Sequence, residues 1–251
     1  MEVDPQTPPP VIVLVEPQLA ENVGAVARAM LNCGLGDLRL VRPRDGWPND
    51  AARPMASGAN SVLDDARAFD TLGEATADLH RLYATTARHR DMVKHEVTPR
   101  RLAQEMRTHG TAGHRSGVLF GRERIGLTND EVAACDAVVV VPLNPAFSSL
   151  NLAQAVLLVA YEWFQAGDDT PGRVLLEPTT RPATRDEIGI FLDRLEAGLE
   201  EGGFFRSEQL RPSMWRKVQN LWNRAELTEL DVRILHGIIA ALQGRRRPDE
   251  S

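Results

Sequence analysis

Cysteine, lysine and aromatic side chains are all scarce in this chain. Its 251 residues include 2 cysteines, and aromatics make up 5%. Cys33 and Cys135 stand far apart in apolar stretches with no CxxC pair. That excludes a disulfide framework and a thiolate zinc module, and two buried thiols in a reducing cytoplasm are expected. No His/Cys/Asp cluster has ligand spacing, so no metal is expected. Long apolar runs are missing as well: none approaches the ~20 residues that span a bilayer, so no membrane contact is expected. Residues 1–10, acidic and Pro-rich, lack a basic-then-apolar leader pattern and read as a disordered arm. There is no GxSxG elbow, no phosphate-binding GxxxxGK loop and no GxGxxG fingerprint. A nicotinamide-dependent oxidoreductase, which the strand pattern would otherwise suit, is disfavoured on that ground.

What is present is ordinary in amount and uneven in placement. Apolar residues make up 43% and charged residues 25%, the mix of a globular protein with a packed core. A net charge of −6 argues mildly against nucleic acid. Yet from Arg81 to Arg124 ten Arg/Lys face four acids, and five of the six histidines lie between His80 and His114. Lysine occurs only at 94 and 217, so nearly all basic residues are arginine. The stretch is either a solvated face in an arginine-favouring sequence or a basic surface for phosphates.

Residues 11–15 read as a strand, 21–33 as a helix with apolar positions at helical spacing, and 37–41 as a second strand. Residues 47–59, with Pro48, Pro54 and Gly58, read as loop with one short helix. A strand near Val62, a helix at 72–78 and a strand at 81–84 follow. Thr98-Pro99 opens a helix, and strands at 117–120 and 138–141 flank another helix that begins at Thr128. An Ala/Val/Leu-rich helix then runs to about 164. Alternating strands and helices give an α/β class with a mostly parallel sheet covered on both faces. The expected organisation is one domain at 11–167, a linker at 168–183 rich in Gly, Asp, Thr and Pro, and a helical domain at 184–251. In that last part Thr184 and Glu187 form a capping box, and Trp215 and Trp222 fall on one apolar face, as core rather than base-stacking residues.

Three polar segments carry the chemistry. Ser148-Ser149-Leu150-Asn151-Leu152 stands where a strand gives way to a helix, the place where open α/β sheets put their sites. Either Ser149 is a plain helix cap or the doubled serine and Asn151 bind a ligand. Glu16 to Ala29 contains Asn22 and Arg28; Asn22 suits a cap, and Arg28, between two alanines, has room to reach a phosphate. Gly121-Arg122-Glu123-Arg124-Ile125-Gly126 follows a strand. A glutamate there would repel a pyrophosphate but suits a ribose hydroxyl or a sulfonium; an ion pair with Arg122, Arg124 or Arg28 is the plainer use.

Together, in this order, the three segments resemble the signature segments of the SPOUT (SpoU-like) RNA ribose 2′-O-methyltransferases. The resemblance implies an α/β domain closed by a deep trefoil knot, a homodimer, and S-adenosylmethionine held in the knot. Its catalytic and substrate-side positions fall on Asn22, Arg28, Glu123, Ser149 and Asn151. Its cofactor loops fall on Thr85, Thr86, Ala87, Gly121, Val141, Ser148, Ser149 and Leu150. Arg88, Arg90 and Arg122 are expected to face the same groove and bind RNA. The length, the helical extension and the loop at 86–90 are most similar to members that methylate tRNA at anticodon-loop position 32. Ribosomal RNA as substrate, and an idle RNA-binding relative, are the alternatives. Phe147, where a tyrosine is common, and His89, where a small residue is common, depart from the pattern. Arg28 is the family's usual candidate base. Guanidinium stays protonated in proteins, so an anchoring role toward phosphate and developing alkoxide is expected instead.

Overall fold

The computed structural model describes residues 7–86, 92–172 and 180–244. Strand β1 (Val11–Val15) is buried throughout because its alternate side chains enter two different layers. Ile12 and Leu14 join a core built with helices α1 (Ala20–Asn32), α5 (Pro99–Thr111) and α7 (Leu152–Gln165). Val11, Val13 and Val15 join a second core with α4 (Leu72–Thr76) and α6 (Asn129–Ala133). A strand covered on both faces reads as a continuous apolar run, as VIVLV does.

The other strands are β2 (Leu38–Val41), β3 (Arg67–Phe69), β4 (Arg81–Thr85), β5 (His95–Val97), β6 (Ser116–Phe120) and β7 (Ala137–Val139). They form one seven-stranded sheet in the order β3-β2-β1-β6-β4-β7-β5, and every pairing is parallel. All carboxyl ends therefore share one edge. The late strands β6 and β7 are the two neighbours of β4. This brings the turns after Thr85, Phe120 and Val139 together, although long stretches of chain separate them.

One expectation fails, and two strands are additional. Val62 lies in a short helix, α3 (Asn60–Asp64), where Val62 and Leu63 are both buried; consecutive burial suits a helical turn rather than a half-buried strand. Strands β3 and β5 were not anticipated. Each is three residues long at a sheet edge and largely exposed, so backbone bonds to one neighbour define it and no apolar alternation announces it. The loop at 47–59 holds a 3₁₀ turn (Asp50–Ala52) and α2 (Arg53–Ala56). Both cysteines are buried and free, and burial pushes the Cys135 thiol up to about 12.

Arg39, 1% exposed, is the one buried cation of β2. Its guanidinium donates to Asp37 at 3.0 Å, to Asp78 and to the Ala75 carbonyl at 2.8 Å, while Arg67 and Arg115 close the cluster on Asp37. Hydrogen bonding from Arg39 holds the Asp78 carboxyl below its ordinary value; burial opposes this at Asp37, but Arg39 and Arg67 still pull it down. Folded carboxyls with depressed pKa stabilise above the 3.8 of a free aspartate, and that contribution fades as pH falls through the lower folded values. Arg39→Met is therefore expected to cost about 3 kcal/mol at neutral pH and to flatten the acid limb of a melting-temperature profile. An unchanged acid limb would show that this cluster does not set it.

The chain divides into two compact units, Met1–Thr170 and Pro171–Ser251. The second holds α8 (Arg185–Glu201), α9 (Arg211–Asn223) and α10 (Glu229–Leu242). Thr184 and Glu187 make the expected capping box. Phe191 is buried among α8–α10 residues, with Trp222 edge-on at 5.2 Å and Trp215 packed on the same cluster.

Candidate active site

The parallel register gathers three turns over the ends of β4, β6 and β7. They line a cavity of about 590 Å³ that contains Thr85, Thr86, Gly121, Glu123, Val141, Ser148, Ser149 and Leu150. Every described residue expected in a cofactor loop is among them; Ala87 lies outside the described residues. Leu127, Val140 and Leu143 add apolar wall. The Thr85 hydroxyl is turned inward, donating to the Leu119 carbonyl at 2.8 Å, so it braces the strand end. Ser148 and Ser149 are exposed, and Ser149 does not cap the helix. Asn151 does: its side-chain oxygen accepts from Ala153 N at 2.8 Å, and Gln154 returns the bond to Asn151 N. The serines are thereby left at the mouth of the cavity.

Beside the cavity runs a chain of amides ending on Glu123. Asn151 Nδ2 donates to Asn22 Oδ1 at 3.2 Å, and Asn22 Nδ2 donates to Glu123 Oε1 at 2.9 Å. The Glu123 carboxylate also accepts from Gln18 N at 3.0 Å. A charged acceptor shared by two donors makes strong hydrogen bonds and fixes the orientation of both amides. Three segments distant in sequence are locked together: the entry to α1, the turn after β6 and the cap of α7. Glu123 is thus used neither in an ion pair with Arg122, Arg124 nor Arg28, and Asn22 is not a cap; the α1 cap position is Leu19. Carboxylate and amides are half-buried or exposed beside the cavity, where they can hold and orient a polar group such as a hydroxyl.

The arginines divide. Arg122, expected to face RNA, is 8% exposed and faces inward instead. Its guanidinium donates to Glu16 at 2.6 Å and to Glu131 at 3.0 and 3.1 Å. Arg122 stands two residues past the buried β6, beyond the half-buried Gly121, and a cation buried there must be neutralised by acids. Hydrogen bonds from Arg122 and then Arg42 hold the Glu16 carboxyl at about 2. Arg122 is therefore the internal brace of the 121–126 turn. Arg124, outside the expected RNA-binding set, is exposed on the cavity lining and has no ion-pair partner among the described residues. The signal was available: in Gly-Arg-Glu-Arg the first arginine follows a buried strand and the second does not. Arg28 is exposed on the outer side of α1, makes no hydrogen bond or ion pair with the described residues, and is not part of the cavity lining. Arg88 and Arg90, like His89, lie outside the described residues. Phe147 is 76% exposed beside the serines.

Among the described residues no group of three His, Cys, Asp or Glu could hold a metal ion, and no helix is long and apolar enough to cross a membrane. Residues 9–161 match the SpoU rRNA Methylase family, and residues 186–251 match the tRNA methyltransferase TrmJ, C-terminal domain. The chain is 37% identical over 240 residues to the tRNA (cytidine/uridine/adenosine-2'-O-)-methyltransferase TrmJ of Pseudomonas aeruginosa (strain UCBPP-PA14), covering 92% of this chain and 93% of that protein. It is 36% identical over 244 residues to the tRNA (cytidine/uridine-2'-O-)-methyltransferase TrmJ of Escherichia coli (strain K12), covering 96% and 97%. The crystal structure of TrmJ from Z. mobilis ZM4 superposes with a TM-score of 0.80 at 45% identity, over 94% of this chain and all of that one. A parallel sheet whose three late turns enclose one cavity, the amide chain on Glu123 and these likenesses meet in one conclusion: the chain belongs to the SpoU methylase family, in its TrmJ branch.

Proposed function

We propose that this protein methylates a ribose 2′-hydroxyl of tRNA, with S-adenosylmethionine as methyl donor, at a cytidine or uridine in anticodon-loop position 32. The observation that carries the reading is the single cavity that holds all the described cofactor-loop residues beside the Glu123–Asn22–Asn151 chain. Its size falls within the range of small-molecule sites, and its lining mixes apolar side chains with serine hydroxyls and the backbone of tight turns, as an adenosyl group requires. When bound, the donor supplies an electrophilic methyl carbon on a sulfonium. The work of the protein is to place the acceptor oxygen in line behind that carbon, and positioning alone supplies a large part of such a rate enhancement. Ser149 and Asn151 orient the hydroxyl, Glu123 holds the amides in place, and Arg28 anchors the neighbouring phosphate and stabilises the developing alkoxide.

The homodimer and the trefoil knot are part of the same proposal. Helices α1 and α7 pack together and leave Leu31, Leu157, Leu158 and Tyr161 exposed, an apolar face suited to a second copy. Arg28 lies on α1 one turn from Leu31, so the site is completed at that interface. The decisive experiment is mass spectrometry of ribose-methylated nucleosides in tRNA and rRNA from cells lacking the protein. Loss of a 2′-O-methylated pyrimidine from tRNA alone is expected. Loss from rRNA alone favours the ribosomal reading, and no loss in either refutes methylation.

A further inference from the structure

A second cavity, of about 800 Å³, opens beside the first at the carboxyl ends of β2 and β3. We propose that it is a nucleotide subsite, taking the base and phosphate of a residue of the RNA that flanks the methylated ribose. The inference rests on the functional reading above and extends the site by one nucleotide.

Glu16 links the linings of the two cavities. Glu16 accepts from Arg42, which lines the second cavity, at 2.6 Å through one oxygen. Through its other oxygen it accepts from Arg122, which lines the first, at 2.6 Å. Arg44 N donates to the Pro17 carbonyl at 3.1 Å, and the next amide, Gln18 N, reaches Glu123. Arg44 also lies near enough to Glu123 for the two charges to interact. A strand of RNA with its ribose at Glu123 therefore has this cavity as its neighbouring surface.

The lining suits one unstacked nucleotide. Trp47 and Phe69 are half-buried against the two cores, which fixes each ring while leaving part of it on the cavity. Of the other tryptophans, Trp163 is buried and Trp215 and Trp222 belong to the helical unit, so Trp47 is the half-buried indole of the first unit. Arg44 is 56% exposed, and among the described residues its side chain bonds only to the adjacent Asp45, a surface pair that yields readily to a phosphate. The Asp70 carboxylate lines the cavity without a partner among the described residues and can accept from a base amino group. Splayed bases on aromatic faces, with arginine on the backbone, is how single-stranded RNA is held.

The test uses the full chain, an unmodified tRNA transcript and three variants: Arg44→Glu, Trp47→Phe and Trp47→Leu. Arg44→Glu is expected to raise the KM for tRNA about tenfold and to reduce the salt slope of tRNA binding by about 1, with unchanged affinity for S-adenosylmethionine. Trp47→Leu is expected to weaken tRNA binding about tenfold, the loss of one stacked base, whereas Trp47→Phe retains most of it. If both Arg44→Glu and Trp47→Leu bind tRNA as the unaltered protein does while methyl transfer proceeds, the subsite is refuted and the functional reading stands. If the unaltered protein methylates no RNA, the functional reading fails, and filter binding of the same variants still decides the subsite. Free cytidine monophosphate displacing tRNA only when Trp47 is intact, and binding as tightly as the RNA, would overturn the RNA assignment in favour of a free nucleotide.

Discussion

Arg28→Ala should leave S-adenosylmethionine affinity intact and lower turnover by about 10²–10³-fold, the usual cost of losing one charge-stabilising donor. The division of effects follows from position. Arg28 does not line the cavity of the cofactor-loop residues, and no described side chain depends on it for a hydrogen bond, so neither binding of the donor nor folding has reason to suffer. Its guanidinium, without a partner among the described residues, can meet a phosphate and an alkoxide, which exist only once RNA is bound. Isothermal titration with S-adenosylmethionine and single-turnover methyl transfer separate the two effects. A variant that no longer binds the donor would refute this assignment. Because Arg28 is proposed to act at the interface, mixing Arg28→Ala subunits with subunits inactivated at Glu123 should restore part of the activity. No recovery on mixing would place all the groups in one protomer.

Gly121→Ala is the second large effect, and it acts through sterics. A Cβ at Gly121 would stand 2.2 Å from both the Gly126 carbonyl carbon and the Leu127 nitrogen. Both are backbone atoms, so no side-chain rotation relieves the overlap. The turn closes through Gly126 N donating to the Arg122 carbonyl at 2.8 Å, with Gly126 at φ +70°, a left-handed conformation that favours glycine. Opening it displaces Glu123 and the cavity wall together. Donor affinity should fall by at least about 100-fold, and overpacking of about 1–3 kcal/mol should lower the melting temperature by several degrees without unfolding the chain. Far-UV circular dichroism checks that the fold survives. Normal donor affinity in the variant would mean that the turn does not form the cofactor pocket.

How much of this was legible differs from element to element. The run VIVLV announced a strand buried on two faces, and Thr184 with Glu187 announced the start of a helix, because burial period and capping are local. The edge strands β3 and β5 were hidden, since a polar triplet held by one neighbour has no local signature. Val62 lies in a helix rather than a strand, and a short apolar stretch fits either locally. At the site, residue types were readable but their use was not. The sequence leaves Glu123 open to an ion pair or to a ribose hydroxyl or sulfonium, and in the fold its carboxylate holds Asn22 and a backbone amide. Arg122 was assigned to RNA and instead braces a turn between Glu16 and Glu131.

The amino-acid order alone determined the α/β class, the helical tail, the shortage of thiols that disfavours metal and disulfide chemistry, and the three polar segments by which the family is recognised. Each is a property of neighbours along the chain. Only the folded arrangement decided that β6 and β7 flank β4, so that turns far apart in sequence enclose one cavity, and that of two arginines separated by one residue the first is internal and the second exposed. Strand order and burial depend on contacts between distant segments, and a charge is directed inward or outward by which acids those contacts bring within reach.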